Sequence, residues 1–184
     1  MNKIIYLLII IFVVTFNFNI KINSMEYNKF YEIELESITG EIISLNKYKG
    51  KTILLVNVAS NCGFTKQYTD LQNLWDKYKE KNLIVIGIPS NQFGNQEPGT
   101  NAEIKDFCEK NFNVNFLMTS KQDVKGVNAH EIYKWAKNSY GKSTIPKWNF
   151  HKILINHEGI IVDTFAPFTN PMSKKVIVKI EKIL

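Results

Sequence analysis

Two residues dominate the chemical reading of this chain: Cys62 and Cys108, the only thiols among its 184 residues. Two cysteines are too few for a disulfide framework or a structural zinc site. They are not arranged as C-x-x-C, so the familiar dithiol redox pair is missing. The setting of Cys62 is more informative. The apolar run TILLVNVA (Thr52 to Ala59) precedes it, and Tyr68, Leu71, Leu74, Trp75 and Tyr78 follow at helical spacing. The first pattern fits a strand buried on both faces, the second an amphipathic helix. Cys62 is therefore expected at the carboxyl end of a strand, at or near a helix N-terminus. Ligand sites gather at strand ends in α/β sheets. Free N–H groups and the macrodipole at a helix start stabilise an anion. A thiol so placed is biased towards thiolate, the nucleophilic form. A buried, inert cysteine after a strand carries the same local pattern, so placement alone leaves both readings open. His130, His151 and His157 show no ligand spacing; no catalytic histidine, metal or cofactor is expected.

The elements that must position these residues are legible as patterns. Phe30 to Leu35 and Glu41 to Leu45 alternate around Thr39-Gly40 and predict a hairpin. LIVIGI (Leu83 to Ile88), stopped by Pro89, predicts a second buried strand. A loop rich in turn formers, Ser90 to Gly99, follows. Thr100 and Glu103 form a capping-box pattern opening a helix to about Phe112, with Ile104, Phe107 and Cys108 on its apolar side. A helix from about Asn128 to Lys137, strands over Trp148 to Asn156 and Ile160 to Phe165, and a last helix from Pro171 complete the order. Strands alternating with helices predict an α/β fold with a partly parallel sheet covered on both faces. A strand–helix–strand core followed by a β-hairpin and a final helix is the thioredoxin-like arrangement.

Composition sets outer bounds. The chain is 45% hydrophobic and 22% charged, ordinary for one globular domain. The net charge is +6, and every one of the 23 basic residues is Lys. The lysines are scattered without a basic run, which argues against a nucleic-acid groove. The N-terminus differs from the rest. Lys3 precedes an apolar run from Ile4 to Phe16, roughly 13 residues, too short to span a bilayer but right for a signal-peptide core. Residues 1–24 are read as a targeting segment for secretory-pathway entry, and 25–184 as the folded domain. Translation from Met25 would instead give a cytoplasmic form.

Three segments carry a resemblance: NVASNCGFT (Asn57 to Thr65), PSNQFGNQEPG (Pro89 to Gly99) and KWNFHKIL (Lys147 to Leu154). Their order and separations resemble the glutathione peroxidase family, from about residue 28 onward. The resemblance implies a thioredoxin-like fold with an extra N-terminal β-hairpin, its central mixed sheet flanked by helices. It also implies a thiol peroxidase site. Cys62 matches the peroxidatic residue, Gln96 the active-site glutamine, Trp148 the tryptophan, and Asn149 the asparagine after it. The chemistry suits the types. A thiolate attacks one peroxide oxygen in line, and the other leaves needing donors and a proton. Two amides and an indole N–H are uncharged donors. Taken singly, Trp148 reads equally as a core aromatic, Gln96 as a turn residue and Asn149 as a strand cap.

The resemblance further places a resolving cysteine at Cys108, which by its own pattern is also a core residue on the Ile104 stripe. Many relatives carry Cys where this chain has Ser90. The stretch between Tyr140 and Trp148 lacks the insertion linked to tetramers in larger members. Without Arg, a carboxylate-rich ligand such as glutathione could be gripped only by Lys. The missing insertion and the absence of Arg point to thioredoxin as reductant rather than glutathione. They also point to a monomer with an open site that admits lipid hydroperoxides in transient contact with a membrane surface. The alternatives are a peroxide sensor relaying oxidation to a partner protein, and a one-cysteine peroxidase recycled by glutathione. A non-catalytic thioredoxin-like module is disfavoured by the intact four-residue set.

Overall fold

The computed structural model describes residues 29–184. The expected targeting segment, 1–24, lies outside the described residues. Five strands form the main sheet: β3 (Thr52–Val58), β4 (Leu83–Pro89), β5 (Leu117–Met118), β6 (Lys152–Ile155) and β7 (Ile161–Phe165). Their order is β5-β4-β3-β6-β7. β3, β4 and β5 run parallel, while β6 pairs antiparallel with β3, and β7 antiparallel with β6. Among the described residues, four longer helices accompany it: α1 (Gln67–Tyr78), α2 (Asn101–Phe112), α3 (Glu131–Tyr140) and α4 (Lys174–Glu181). A separate hairpin, β1 (Glu34–Glu36) with β2 (Ile42–Ser44), stands at the N-terminal side. This is the expected thioredoxin-like mixed sheet with its extra hairpin.

Side-chain alternation on β3 divides the core in two. Leu54, Val56 and Val58 face a cluster with Tyr68, Leu71 and Leu74 of α1, Ile104 and Cys108 of α2, and Val176 and Ile180 of α4. Ile53 and Leu55 face the other side, with Ile132 and Ala136 of α3 and Leu35 and Ile43 of the hairpin. A strand buried on both faces reads as a near-continuous apolar run, which is the pattern of TILLVNVA, with Thr52 and Asn57 its two polar residues.

Several boundaries differ from the sequence reading. Residues 29–32 are a helical turn rather than strand. The strand expected from Trp148 begins only at Lys152, because the preceding residues turn sharply at the site. The two-residue β5 is too short to leave a periodicity in the sequence. The Met118 side chain lies over Gly87 of β4, where a Cβ would be 2.5 Å from its sulfur.

Candidate active site

Cys62 sits in the turn that carries the chain from β3 to α1, and is 9% exposed. Thr65 closes that turn. Its Oγ1 accepts the Cys62 N–H at 3.0 Å and its hydroxyl donates to the Ala59 carbonyl at 2.9 Å. The Thr65 N–H returns to the Cys62 carbonyl at 3.0 Å. The Phe64 N–H points at the Cys62 sulfur, 3.4 Å away. Cys62 is expected at or near a helix N-terminus; it stands in the turn that leads into α1, whose first residue is Gln67. What faces the sulfur is the amide of a tight turn, which can favour an anion as helix-start amides do.

Gln96 comes from the loop between β4 and α2. Gly94 (φ +63°) and Asn95 (φ +53°) are successive left-handed residues that reverse the chain just before it. The Gln96 carbonyl accepts the Asn61 N–H at 3.0 Å, fastening this loop to the Cys62 turn. Its side-chain Oε1 accepts from Asn149 Nδ2 at 2.9 Å. The amide is thereby oriented, and its own N–H groups remain available as donors. Trp148, beside Asn149, packs on Phe93 of the same loop with ring centroids 5.9 Å apart. It is nonetheless 40% exposed, an unusual position for a large aromatic that merely fills a core. Asn149 is fully buried, and its Oδ1 has no hydrogen-bond partner. Hence Gln96, Trp148 and Asn149 come together, and the Asn61–Gln96 bond joins them to the Cys62 turn.

Asn57 holds the Trp148–Asn149 segment against the end of β3. Its Nδ2 donates to the Trp148 carbonyl at 3.1 Å, and its Oδ1 accepts the His151 N–H at 3.1 Å. Its main-chain carbonyl accepts the Phe150 N–H at 2.6 Å. Phe150 is itself left-handed, with φ +65°. A bulky residue there costs about 1–3 kcal/mol, sustained only where the surroundings over-determine it. The Asn57 bonds and the burial of the Phe150 ring against Tyr68, edge-on at 5.5 Å, supply that constraint. Sequence reasoning assigned no role to Asn57, Thr65 or Phe150. Asn57 did leave a signal, being the one amide in an otherwise apolar buried run. A left-handed Phe leaves none.

Cys108 lies in α2, 1% exposed, in the same cluster as Cys62, and both thiols are free. Burial pushes the Cys108 thiol up to about 11, with the nearby Tyr68 hydroxyl pulling the other way. The predicted capping box is present: Thr100 Oγ1 accepts the Glu103 N–H, and Glu103 Oε2 accepts the Thr100 N–H at 2.7 Å.

With this geometry in view, the sequence model of the glutathione peroxidase family matches residues 30–137. The chain belongs to the glutathione peroxidase family. The match takes in Cys62, Gln96 and Cys108 and stops before Trp148. The chain is 45% identical over 145 residues to a Bacillus subtilis glutathione peroxidase homolog, covering 77% of this chain and 90% of that one. It is 43% identical over 148 residues to glutathione peroxidase-like peroxiredoxin 2 of Saccharomyces cerevisiae, covering 78% and 91%. Among solved structures it is similar to the apo crystal structure of Trgpx, with TM-score 0.66 and 32% identity over 84% of this chain and 94% of that one. As a glutathione peroxidase family member, the chain is a peroxide-reducing thiol enzyme.

Proposed function

We propose that Cys62 is the peroxidatic residue, that Gln96, Trp148 and Asn149 assist it, and that Cys108 resolves the oxidised form. The observation that carries this reading is the linked set of bonds from the Cys62 turn through Gln96 to Asn149. It puts two oriented amides and an exposed indole on the sheet end that bears the thiol. The Cys62 thiolate attacks one peroxide oxygen, the O–O bond breaks, and the departing oxygen leaves as hydroxide or alkoxide. The amide and indole donors hold that charge until it takes a proton. Cys62 is left as a sulfenic acid. Attack by the Cys108 thiol then forms a Cys62–Cys108 disulfide and releases water.

Thioredoxin is the reductant this reading favours. Its dithiol reduces the disulfide by exchange through a mixed disulfide. The absence of Arg disfavours a dedicated glutathione site, and one similar protein is itself named a peroxiredoxin. The test is peroxide consumption with thioredoxin and with glutathione in parallel, on the wild-type chain and on Cys108→Ser. Turnover with thioredoxin that is lost in Cys108→Ser is the expected result. Undiminished thioredoxin turnover in Cys108→Ser, with no Cys62–Cys108 linkage, overturns the two-cysteine cycle. Residues 1–24 are proposed to direct secretory-pathway entry. A fluorescent fusion to them that stays in the cytosol refutes that assignment.

A further inference from the structure

Gln96 and Glu97 are adjacent in the chain yet serve different sides of it. Gln96 reaches Asn149. Glu97 is turned inward, 1% exposed, and its Oε2 is buried without a hydrogen-bond partner. Two other buried hydroxyls, Ser60 Oγ and Tyr68 Oη, likewise form no well-made hydrogen bond. A cleft of about 270 Å³ is lined by Ser60 from the Cys62 turn, by Glu97, and by Ile104 and Phe107 of α2. Glu97 therefore stands between the turn that carries one thiol and the helix that carries the other. Its charge acts on Cys108 and on Tyr68 alike.

A buried carboxyl held by Ser60 alone, with one oxygen unpartnered, is costly and calls for an explanation. The local cation does not supply one. The Lys121 ammonium binds the main-chain carbonyls of Gly99 at 2.6 Å and Glu97 at 3.3 Å, not the carboxylate. The other ionisable groups facing this cluster are Tyr68 from α1, and Cys108, Glu103 and Glu109 from α2. Glu103 is committed to the Thr100 cap. Burial holds the Glu97 carboxyl above its usual range, while Ser60 and Lys121 draw it back. Cys108 faces the converse problem. A thiol pushed up to about 11 keeps its proton at neutral pH, and a protonated thiol is a poor nucleophile.

We propose that Glu97 accepts the Cys108 thiol proton during the resolving step. The proposal rests on the two-cysteine reading above. The Cys108 sulfur attacks the Cys62 sulfenic sulfur, the S–S bond forms and the S–O bond breaks. Cys108 is oxidised as the Cys62 sulfur is reduced. The proton taken by Glu97 passes to the departing hydroxide, giving water and regenerating the carboxylate. Ser60 is placed to bridge the two, since it precedes Asn61-Cys62 and lines the same cleft.

The experiment is rapid mixing of the full-length reduced chain with one equivalent of hydrogen peroxide across pH 5–9. Quenching uses a sulfenic-acid trap and a thiol alkylator, and mass spectrometry then gives the ratio of sulfenic acid to Cys62–Cys108 disulfide. In Glu97→Gln, which keeps the side-chain shape, disulfide formation is expected to slow about 100-fold at pH 7, so that sulfenic acid accumulates. Glu97→Asp should recover part of the rate. In the wild-type chain the resolving rate should rise with an ionisation above the usual carboxylate range. In Glu97→Gln that rise should vanish, leaving a dependence set by Cys108 at higher pH. An unchanged resolving rate and pH profile in Glu97→Gln overturns the role of Glu97 alone. Should that variant not fold, a wild-type profile without the acid-range ionisation overturns it equally. Absence of the disulfide in the wild-type chain at every pH overturns both this role and the two-cysteine reading beneath it.

Discussion

At the scale of single residues, the division of labour proposed around Cys62 follows from what each group has left to donate. The Asn149 amide is tied to Gln96 Oε1, so Gln96 presents its N–H groups with their direction fixed. The Trp148 indole, anchored on Phe93 but open to solvent, is a donor at the mouth of the site. Gln96→Ala or Trp148→Ala should slow Cys62 oxidation roughly 10- to 1000-fold, the range for losing one preorganised donor. Stopped-flow peroxide kinetics measures this, and an unaltered rate constant would reduce that residue to a structural part. On the proposed reading only the Cys62 sulfur is irreplaceable, because a serine hydroxyl without a base is not a nucleophile at neutral pH. Cys62→Ser should keep its circular-dichroism spectrum and lose all peroxide consumption.

At the scale of elements, two loops and one strand end bring the set together, and each depends on main-chain bonds invisible to a motif search. Asn57 is the clearest case. Asn57→Ala would strand the Trp148 carbonyl and the His151 N–H in the interior, at about 1–3 kcal/mol. It would also remove the two side-chain bonds that flank the left-handed Phe150, leaving only the main-chain bond from its N–H to residue 57. A lowered thermal midpoint together with a slower peroxide rate is expected; full activity at reduced stability would show that Asn57 serves only the fold. The same contrast explains what the sequence could reveal. Long apolar runs, helical spacing and the Thr100–Glu103 capping box are local signals, so β3, β4, α1 and α2 were legible. The candidate site residues stand out because three motifs lie in register, and the fold brings Gln96, Trp148 and Asn149 together. The start of α1 at Gln67, the bend through Phe150 and the inward turn of Glu97 are set by hydrogen bonds to distant segments and by backbone reversal. No local pattern encodes them.

At the scale of the whole molecule, buried ionisable groups link stability to pH. His151 is 7% exposed with Nε2 unpartnered, and burial beside Lys152 lowers it to about 4 from 6.5. The folded state thus binds fewer protons than the unfolded state between those values, and stability should fall as pH drops from about 6.5 towards 4. Lys152, fully buried, donates to Gln67 Oε1 at 2.6 Å, the Phe150 carbonyl at 2.8 Å and the Pro167 carbonyl at 3.2 Å. Burial lowers it to about 7 from 10.5, with Asp70 drawing it back up. The same sign applies, so stability should rise with pH above about 7. Cys108 has the opposite sign, raised from 9.0 to about 11, and should erode that gain above about pH 9. Thermal unfolding of the reduced chain across pH 4–10 checks these slopes, and Lys152→Met should flatten the one above pH 7. The central claim remains chemical, and one measurement meets it directly. The Cys108→Ser chain is exposed to one equivalent of peroxide, the sulfenic acid is trapped, and the modified residue is located by mass spectrometry. A single adduct on Cys62, sharply reduced when Gln96→Ala is added, is the predicted result. Peroxide consumption with no adduct on Cys62 would contradict the account.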